Sequence, residues 1–263
     1  MDILFKAEYP ATRLPALDGV EAACCQCEGD RDEQQDDCGL FMACGAMLAV
    51  VADGMGALAR GGAAARLAVA QAGREAGELL REGETYDTMK AALESINGEV
   101  YRQIDNHGVM GMSGTTLCAA AIRRDSARFF WCGDSRAYRW RDGKLTRLTE
   151  DHVYASYLRE MVAEGVMSEA DARSHPKRSH LTGYIGMRAL EDYSIMAGPI
   201  EMKKGDGLLL CTDGLYKCLN EGELRRCMGG RSTFASAQTL IGLVARKRLK
   251  GQDNATALVI KWI

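Results

Sequence analysis

The chain has 263 residues, with 33 Lys+Arg against 36 Asp+Glu for a formal charge of −3, and 47% of its residues are hydrophobic. That is enough chain to bury a substantial core, and it excludes a disulfide-stapled miniprotein. Charges of both signs are scattered along the chain, which argues against a nucleic-acid or anionic-membrane binder, and no apolar run approaches the roughly 18 residues of a membrane span. The opening MDILFKAEYP has neither a basic stretch nor a long apolar one, so a cytoplasmic protein is expected, with its 10 cysteines as free thiols. A rival use of the thiols is a zinc site, in which Cys24-x-x-Cys27 is completed by Cys38 and Cys44, with Cys25 beside them.

Residues 46–52, AMLAVVA, form an apolar run bounded by Gly and Asp, as in a buried strand. A helix is predicted from Ala57 to about Leu80, and a second from Tyr86 to Tyr101, where Met89, Leu93, Ile96 and Val100 recur at spacings of three and four. Short β-prone segments follow at Thr115–Arg123, Arg128–Cys132, Ala137–Arg141 and Lys144–Leu148, the last two joined by the turn signal Asp142-Gly143. Tyr154, Tyr157, Leu158, Met161 and Val162 mark a short amphipathic helix, and the polar stretch to about Met187 reads as an irregular inserted flap over 151–187. Strand character returns at Ser194–Ile200 and Gly207–Cys211. Ala237, Leu240, Ile241 and Val244 make a final helix, and Thr256–Ile263 a closing strand. Meandering strands with helices in separate blocks predict an α+β fold, one domain over 1–263 with two packed sheets flanked by helices.

Two apolar runs end alike, Val50–Gly54 and Leu208–Gly214, each delivering an Asp and then a Gly. Asp53 and Asp213 are therefore expected at strand ends, where a hairpin turn is the plainer reading of each Asp-Gly alone. Asp134 and Asp253 also flank strands, and Asp36 and Asp37 form a fifth acidic position. Carboxylates meeting in one cleft repel by roughly 4 kcal/mol per pair at ~4 Å and an effective dielectric of ~20, so such a cluster requires cations. Oxygen ligands without histidine select Mg²⁺ or Mn²⁺ over zinc, and a glycine after the Asp lets a backbone carbonyl approach the metal.

The set Arg31-x-x-Gln34-Gln35-Asp36, VADGMG at 51–56, SGTT at 113–116, WCGDSRAYRWRDGKLTRLTEDH at 131–152, CTDGL at 211–215 and DNAT at 253–256 resembles the metal-dependent Ser/Thr protein phosphatases of type 2C in their bacterial form. The match runs in order from about residue 20 to 263. The resemblance implies a four-layer αββα sandwich of two mainly antiparallel sheets with two Mn²⁺ or Mg²⁺ ions in the cleft at one end. Asp53 is then the bridging ligand, the Gly54 carbonyl a ligand of one ion and Asp213 and Asp253 of the other, with Asp36 holding waters and Arg31 gripping phosphate. A hydroxide between the metals is implied as the direct attacker of phosphoserine and phosphothreonine. Phosphorylated proteins, substrates of a cognate Ser/Thr kinase, are the implied partners, with neither nucleic acid nor membrane.

Three positions depart from the family's pattern. Gln34-Gln35 is a mild variation. Met55 stands where eukaryotic relatives carry a histidine proposed as general acid. Lys217 stands where the family often supplies an acid that joins Asp134 around a third metal, so its ammonium is expected to pair with Asp134 and replace that ion. The flap residues Arg173, Lys177 and Arg178 could attract acidic phosphopeptides, and His152, His175 and His180 read as surface residues. Two rivals stand beside this reading. Gly54-x-Gly56-x-x-Ala59 resembles a dinucleotide fingerprint but lacks the acidic residue ending a second parallel strand, and Gly111-Met112-Ser113-Gly114-Thr115 lacks the last Gly of a nucleophile elbow. The other is a catalytically inactive phosphatase-fold binding or signalling module, against which the presence of all four core aspartates counts.

Overall fold

The computed structural model describes residues 3–4, 12–14, 17–56, 60–105, 113–230 and 232–263. In chain order its strands and helices are β1 (Ile3–Leu4), β2 (Thr12–Leu14), β3 (Val20–Cys27), β4 (Asp36–Ala43), β5 (Ala46–Gly56), α1 (Arg60–Glu82), α2 (Tyr86–Asp105), β6 (Ser113–Thr115), β7 (Leu117–Ile122), β8 (Ser126–Cys132), β9 (Arg136–Arg141), β10 (Lys144–Arg147), α3 (Tyr154–Ala163), α4 (Glu169–Ser174), β11 (Ser194–Ile195), β12 (Ile200–Glu201), β13 (Gly207–Cys211), α5 (Asp213–Tyr216), α6 (Glu221–Met228), α7 (Thr233–Lys247) and β14 (Ala255–Trp262). One sheet runs β1-β4-β5-β7-β8-β11, with β12 also on β8 and β6 on β5, and the other runs β10-β9-β13-β14-β3-β2. Every pairing is antiparallel.

Three apolar layers separate four structural ones. Along β5, Leu48, Val50 and Ala52 face α1 and α2, whereas Met47, Ala49 and Val51 face the other sheet. Along β14, Leu258 and Ile260 point into the space between the sheets, and Ala255, Ala257 and Val259 point to α7. A strand covered on both faces reads as a continuous apolar run rather than an alternating one, which is why residues 46–52 of β5 and 257–260 of β14 are unbroken apolar runs. The arrangement is the αββα sandwich, and no helix among the described residues is long and apolar enough to cross a membrane.

Several expectations require adjustment. β3 and β4 carry no predicted strand, although Ala22–Cys25 in β3 and Cys38–Ala43 in β4 are short apolar runs. β5 continues through Asp53 to Gly56, so Asp53 lies within the strand and not at its end. Ser194–Ile200 reduces to the two-residue β11 and β12. The polar stretch after α3 is not wholly irregular, because Ser168 caps α4 by accepting from the Asp171 N–H at 3.1 Å. The β9–β10 turn is as predicted: Asp142 and Gly143 take φ of 50° and 76°, as a two-residue hairpin turn requires. Ala57–Ala59, called as the start of the first helix, and Gly111-Met112 lie outside the described residues.

Candidate active site

β4 and β5 pair so that Asp36 stands opposite Asp53. Asp36 is 5% exposed, and its Oδ2 accepts from Thr212 Oγ1 at 2.8 Å and Thr256 Oγ1 at 2.7 Å. Burial pushes its carboxyl up to about 7 against the pull of those two hydroxyls, with Asp213 and Asp253 adding to the rise. Asp53 is held well above the usual carboxylate range, first by burial and then by Asp36, Asp213, Asp134 and Asp253, so it feels four other carboxylates. Its backbone is pinned, the N–H to Thr116 Oγ1 at 3.0 Å and the carbonyl to the Thr116 N–H at 2.9 Å.

Gly54 is needed for a reason beyond an approach to metal. A Cβ there would lie 2.2 Å from the Gly61 carbonyl oxygen and 2.5 Å from that of Gln35, so only glycine lets α1 and the Gln35 turn close on the strand. At the head of β13, Thr212 leads into α5, whose first residue is Asp213. Lys217, one helical turn on, bonds Asp213 Oδ2 and stands 3.9 Å from Asp134 Oδ2, while Asp213 Oδ1 is buried with no hydrogen-bond partner. Lys217 thus lies closer to Asp213 than to the Asp134 expected from the sequence. Asp134 is 8% exposed; burial and Asp213 push its carboxyl up to about 6, with Lys217 opposing, and the Tyr216 hydroxyl lies 3.1 Å from its Oδ2. Across the cleft Arg31 Nη2 donates to Asp253 Oδ2 at 2.7 Å.

The fold therefore brings Arg31, Asp36, Asp53, Gly54, Asp134, Asp213, Lys217 and Asp253 to one end of the sandwich. Among the described residues no three or more carboxylate, imidazole or thiol groups stand in metal-holding proximity, and Asp253 and Asp213 are paired with Arg31 and Lys217. The donor set nonetheless fits a hard divalent ion: the ligands are all oxygen, Asp213 Oδ1 is orphaned, and four other carboxylates bear on the buried Asp53. The thiolate zinc alternative does not form. Cys24 faces the layer between the sheets and touches Cys38 at 2.8 Å, Cys25 faces α7, and Cys44 is exposed at a turn.

Some site residues escaped the sequence reading. Thr212 and Thr256, which hold Asp36, adjoin Asp213 and Asp253 within the same short motifs. His152 is a correction. It is 7% exposed rather than on the surface, with Nδ1 accepting from the Gly133 N–H at 3.1 Å and Nε2 3.0 Å from Ser194 Oγ. Burial holds its pKa below the usual imidazole value, with Asp192 opposing. His175 is half-buried with its ring 5.2 Å from that of Tyr154, and His180 is exposed as expected.

Comparison with known proteins meets this geometry. The family model described as protein phosphatase 2C matches residues 26–251. The serine/threonine phosphatase stp of Listeria monocytogenes is 29% identical over 217 residues, 81% of this chain and 84% of that one. The serine/threonine protein phosphatase PstP of Mycobacterium tuberculosis is 32% identical over 222 residues, 82% of this chain and 40% of its own length. Among solved structures, the S. agalactiae serine/threonine phosphatase superposes with a TM-score of 0.79 at 28% identity, covering 93% of this chain and 100% of that one. The catalytic domain of PstP in complex with two manganese ions does so at 0.72 and 25% identity, covering 92% and 97%.

Proposed function

The chain belongs to the protein phosphatase 2C family and is a metal-dependent Ser/Thr protein phosphatase acting on phosphoproteins, and from that premise we propose which of its residues carry the hydrolysis. Asp36, Asp53, the Gly54 carbonyl, Asp213 and Asp253 are the residues that would hold two Mn²⁺ or Mg²⁺ ions. When bound, such a pair supplies an activated water and Lewis-acid stabilisation of the transferring phosphoryl group. Asp53, on which the other acids converge, would be the ligand shared by the two ions. Asp36, fixed by Thr212 and Thr256, would hold water at the metals. Arg31, exposed at the rim, leaves Asp253 to grip the phosphate oxygens with its permanently charged fork. Met55 has no proton to give, so the leaving serine or threonine oxygen is protonated by water. Lys217 is a tethered cation between Asp213 and Asp134 and takes the place of a third ion.

We further propose that residues 1–263 act as one phosphatase domain, that the flap over 151–187 gates the cleft, and that a cognate Ser/Thr kinase supplies the substrates. Its exposed Lys177 and Arg178 favour acidic phosphopeptides, whereas Arg173 is paired with Glu169.

The observation that carries the reading is the convergence of Asp36, Asp134, Asp213 and Asp253 on the buried carboxylate of Asp53. The test is hydrolysis of p-nitrophenyl phosphate and a phosphothreonine peptide with Mn²⁺, with EDTA, and as Asp53→Asn. Turnover that needs Mn²⁺ and disappears with Asp53→Asn is expected. A folded protein with no turnover in any divalent metal would instead mean an inactive binding module.

A further inference from the structure

Arg31 sits on a loop with little to hold it. Residues 28–33 are all exposed, and the outer side of the loop faces a cleft of about 700 Å³ bordered by Gln26, Gln34, Leu249 and Gln252. No apolar side chain of the loop anchors it to a core. What ties it down is the turn that carries Asp253, and above all Asn254, which is 3% exposed. The Asn254 amide nitrogen donates to the Glu28 carbonyl at 2.8 Å and to the Glu33 carbonyl at 3.0 Å, at the two ends of the loop. Its Oδ1 accepts from the Gln35 N–H at 2.8 Å, one residue before Asp36. Both donors of the side chain and its oxygen are thereby used on three backbone groups, a pattern that Asp, Ser or Leu cannot reproduce. Further ties run from the Asp30 N–H to the Gln252 carbonyl at 2.8 Å and from the Gly251 N–H to Asp30 Oδ2 at 2.9 Å. Gly29 lies so close that a Cβ would stand 2.5 Å from the Asp253 carbonyl oxygen.

We infer that Asn254 is a positioning residue for Arg31, clamping the arginine loop onto the Asp253 turn so that the phosphate-gripping guanidinium keeps a fixed place relative to the metal-binding acids. This rests on the assignment of Arg31 to phosphate. Without the clamp the loop samples conformations in which Arg31 is out of reach, and phosphate binding loses the fraction of time the loop is misplaced.

The test is a double-mutant cycle with Arg31→Ala, Asn254→Ala and the pair. KM and kcat for p-nitrophenyl phosphate and inhibition by inorganic phosphate are read, together with Mn²⁺ affinity by calorimetry and amide hydrogen exchange over residues 28–35. Asn254→Ala is expected to raise KM and the phosphate inhibition constant about tenfold, the scale of a lost charge-assisted contact. It is expected to speed exchange at Gln35, and to change KM less than about twofold once Arg31 is already alanine. Asn254→Ser, which keeps a polar group in the buried position, serves if the alanine variant does not fold. Multiplicative effects of the two substitutions would overturn the inference, as would an Asn254 variant that weakens Mn²⁺ binding and leaves phosphate inhibition unchanged. Wild-type KM and phosphate inhibition in Arg31→Ala alone would remove Arg31 from phosphate binding and take the clamp's purpose with it, a failure readable before any Asn254 variant is made.

Discussion

Replacing Lys217 with methionine keeps the aliphatic stem and removes the ammonium that lies against Asp213 and 3.9 Å from Asp134 Oδ2. At that separation the attraction to Asp134 is about 4 kcal/mol at an effective dielectric of 20 and about 1 kcal/mol in water. The Lys217 side chain is 57% exposed, so the lower figure applies. A divalent ion that binds Asp134 must displace this lysine from it, and the displacement works against the ion by about 1 kcal/mol, roughly fivefold in affinity. Lys217→Met is therefore expected to bind Mn²⁺ about fivefold more tightly and to admit a third ion on Asp134. Calorimetric titration gives both the affinity and the stoichiometry, independent of turnover. Unchanged or weaker binding, with two ions per chain in both proteins, would refute the view of Lys217 as a resident cation.

Other expectations follow from single contacts. Thr256→Val keeps the shape of a fully buried residue and removes one hydroxyl from Asp36, a loss of about 1 to 2 kcal/mol that should raise the Mn²⁺ needed for half-maximal activity about tenfold. Asp206 is 3% exposed; burial works to raise its pKa, but the Arg141 fork and the Lys203 N–H outweigh it and hold the pKa below the usual value. A folded pKa below the unfolded one contributes stability that is present above the unfolded pKa of about 3.9 and is lost as pH falls through the folded value. Asp206→Asn should therefore lower the thermal midpoint at pH 7 and flatten its fall between about pH 5 and 2; an equally steep acid limb in the variant would count against the pair. Mass-spectrometric mapping after brief alkylation of the native protein should find Cys44 modified first, because it is exposed, whereas Cys25 is buried with its thiol pushed up to about 12.

How far the sequence discloses this site depends on the reach of each interaction. Asp53 and Asp213 are legible because each ends or interrupts an apolar run, and the strands beneath them are apolar on both faces. The Asp142-Gly143 turn is legible because its backbone demands just those residues. Asp36 is legible only through the motif around it, since it lies at the acidic start of β4 and the hydroxyls that hold its carboxyl come from 176 and 220 residues away. Nothing periodic marks such a contact. His152 was misread for the same reason: a histidine in a polar stretch looks solvated, and only the tertiary approach of Gly133 and Ser194 buries it. Lys217 was legible as an anomaly, but its preference for Asp213 over Asp134 follows from a single helical turn that the sequence reading did not weigh.

The order β10-β9-β13-β14-β3-β2 carries a consequence for how the protein is made. β3, near the start of the chain, has β14 and β2 as its neighbours, and β14 alone connects it to β13 and the rest of that sheet. β14 follows every other strand of the sheet in the chain, and the turn just before it supplies Asp253 and Asn254. During synthesis β3 and the Arg31 loop must wait, unpaired on that side, until the ribosome has delivered β14. The step that closes the second sheet is thus also the step that assembles the cleft, so a chain stopped short of β14 lacks the joint between the halves of that sheet, and with it the strand that fixes the Asp253 turn in place. Such truncated products should be cleared by proteolysis before they can hydrolyse phosphate esters.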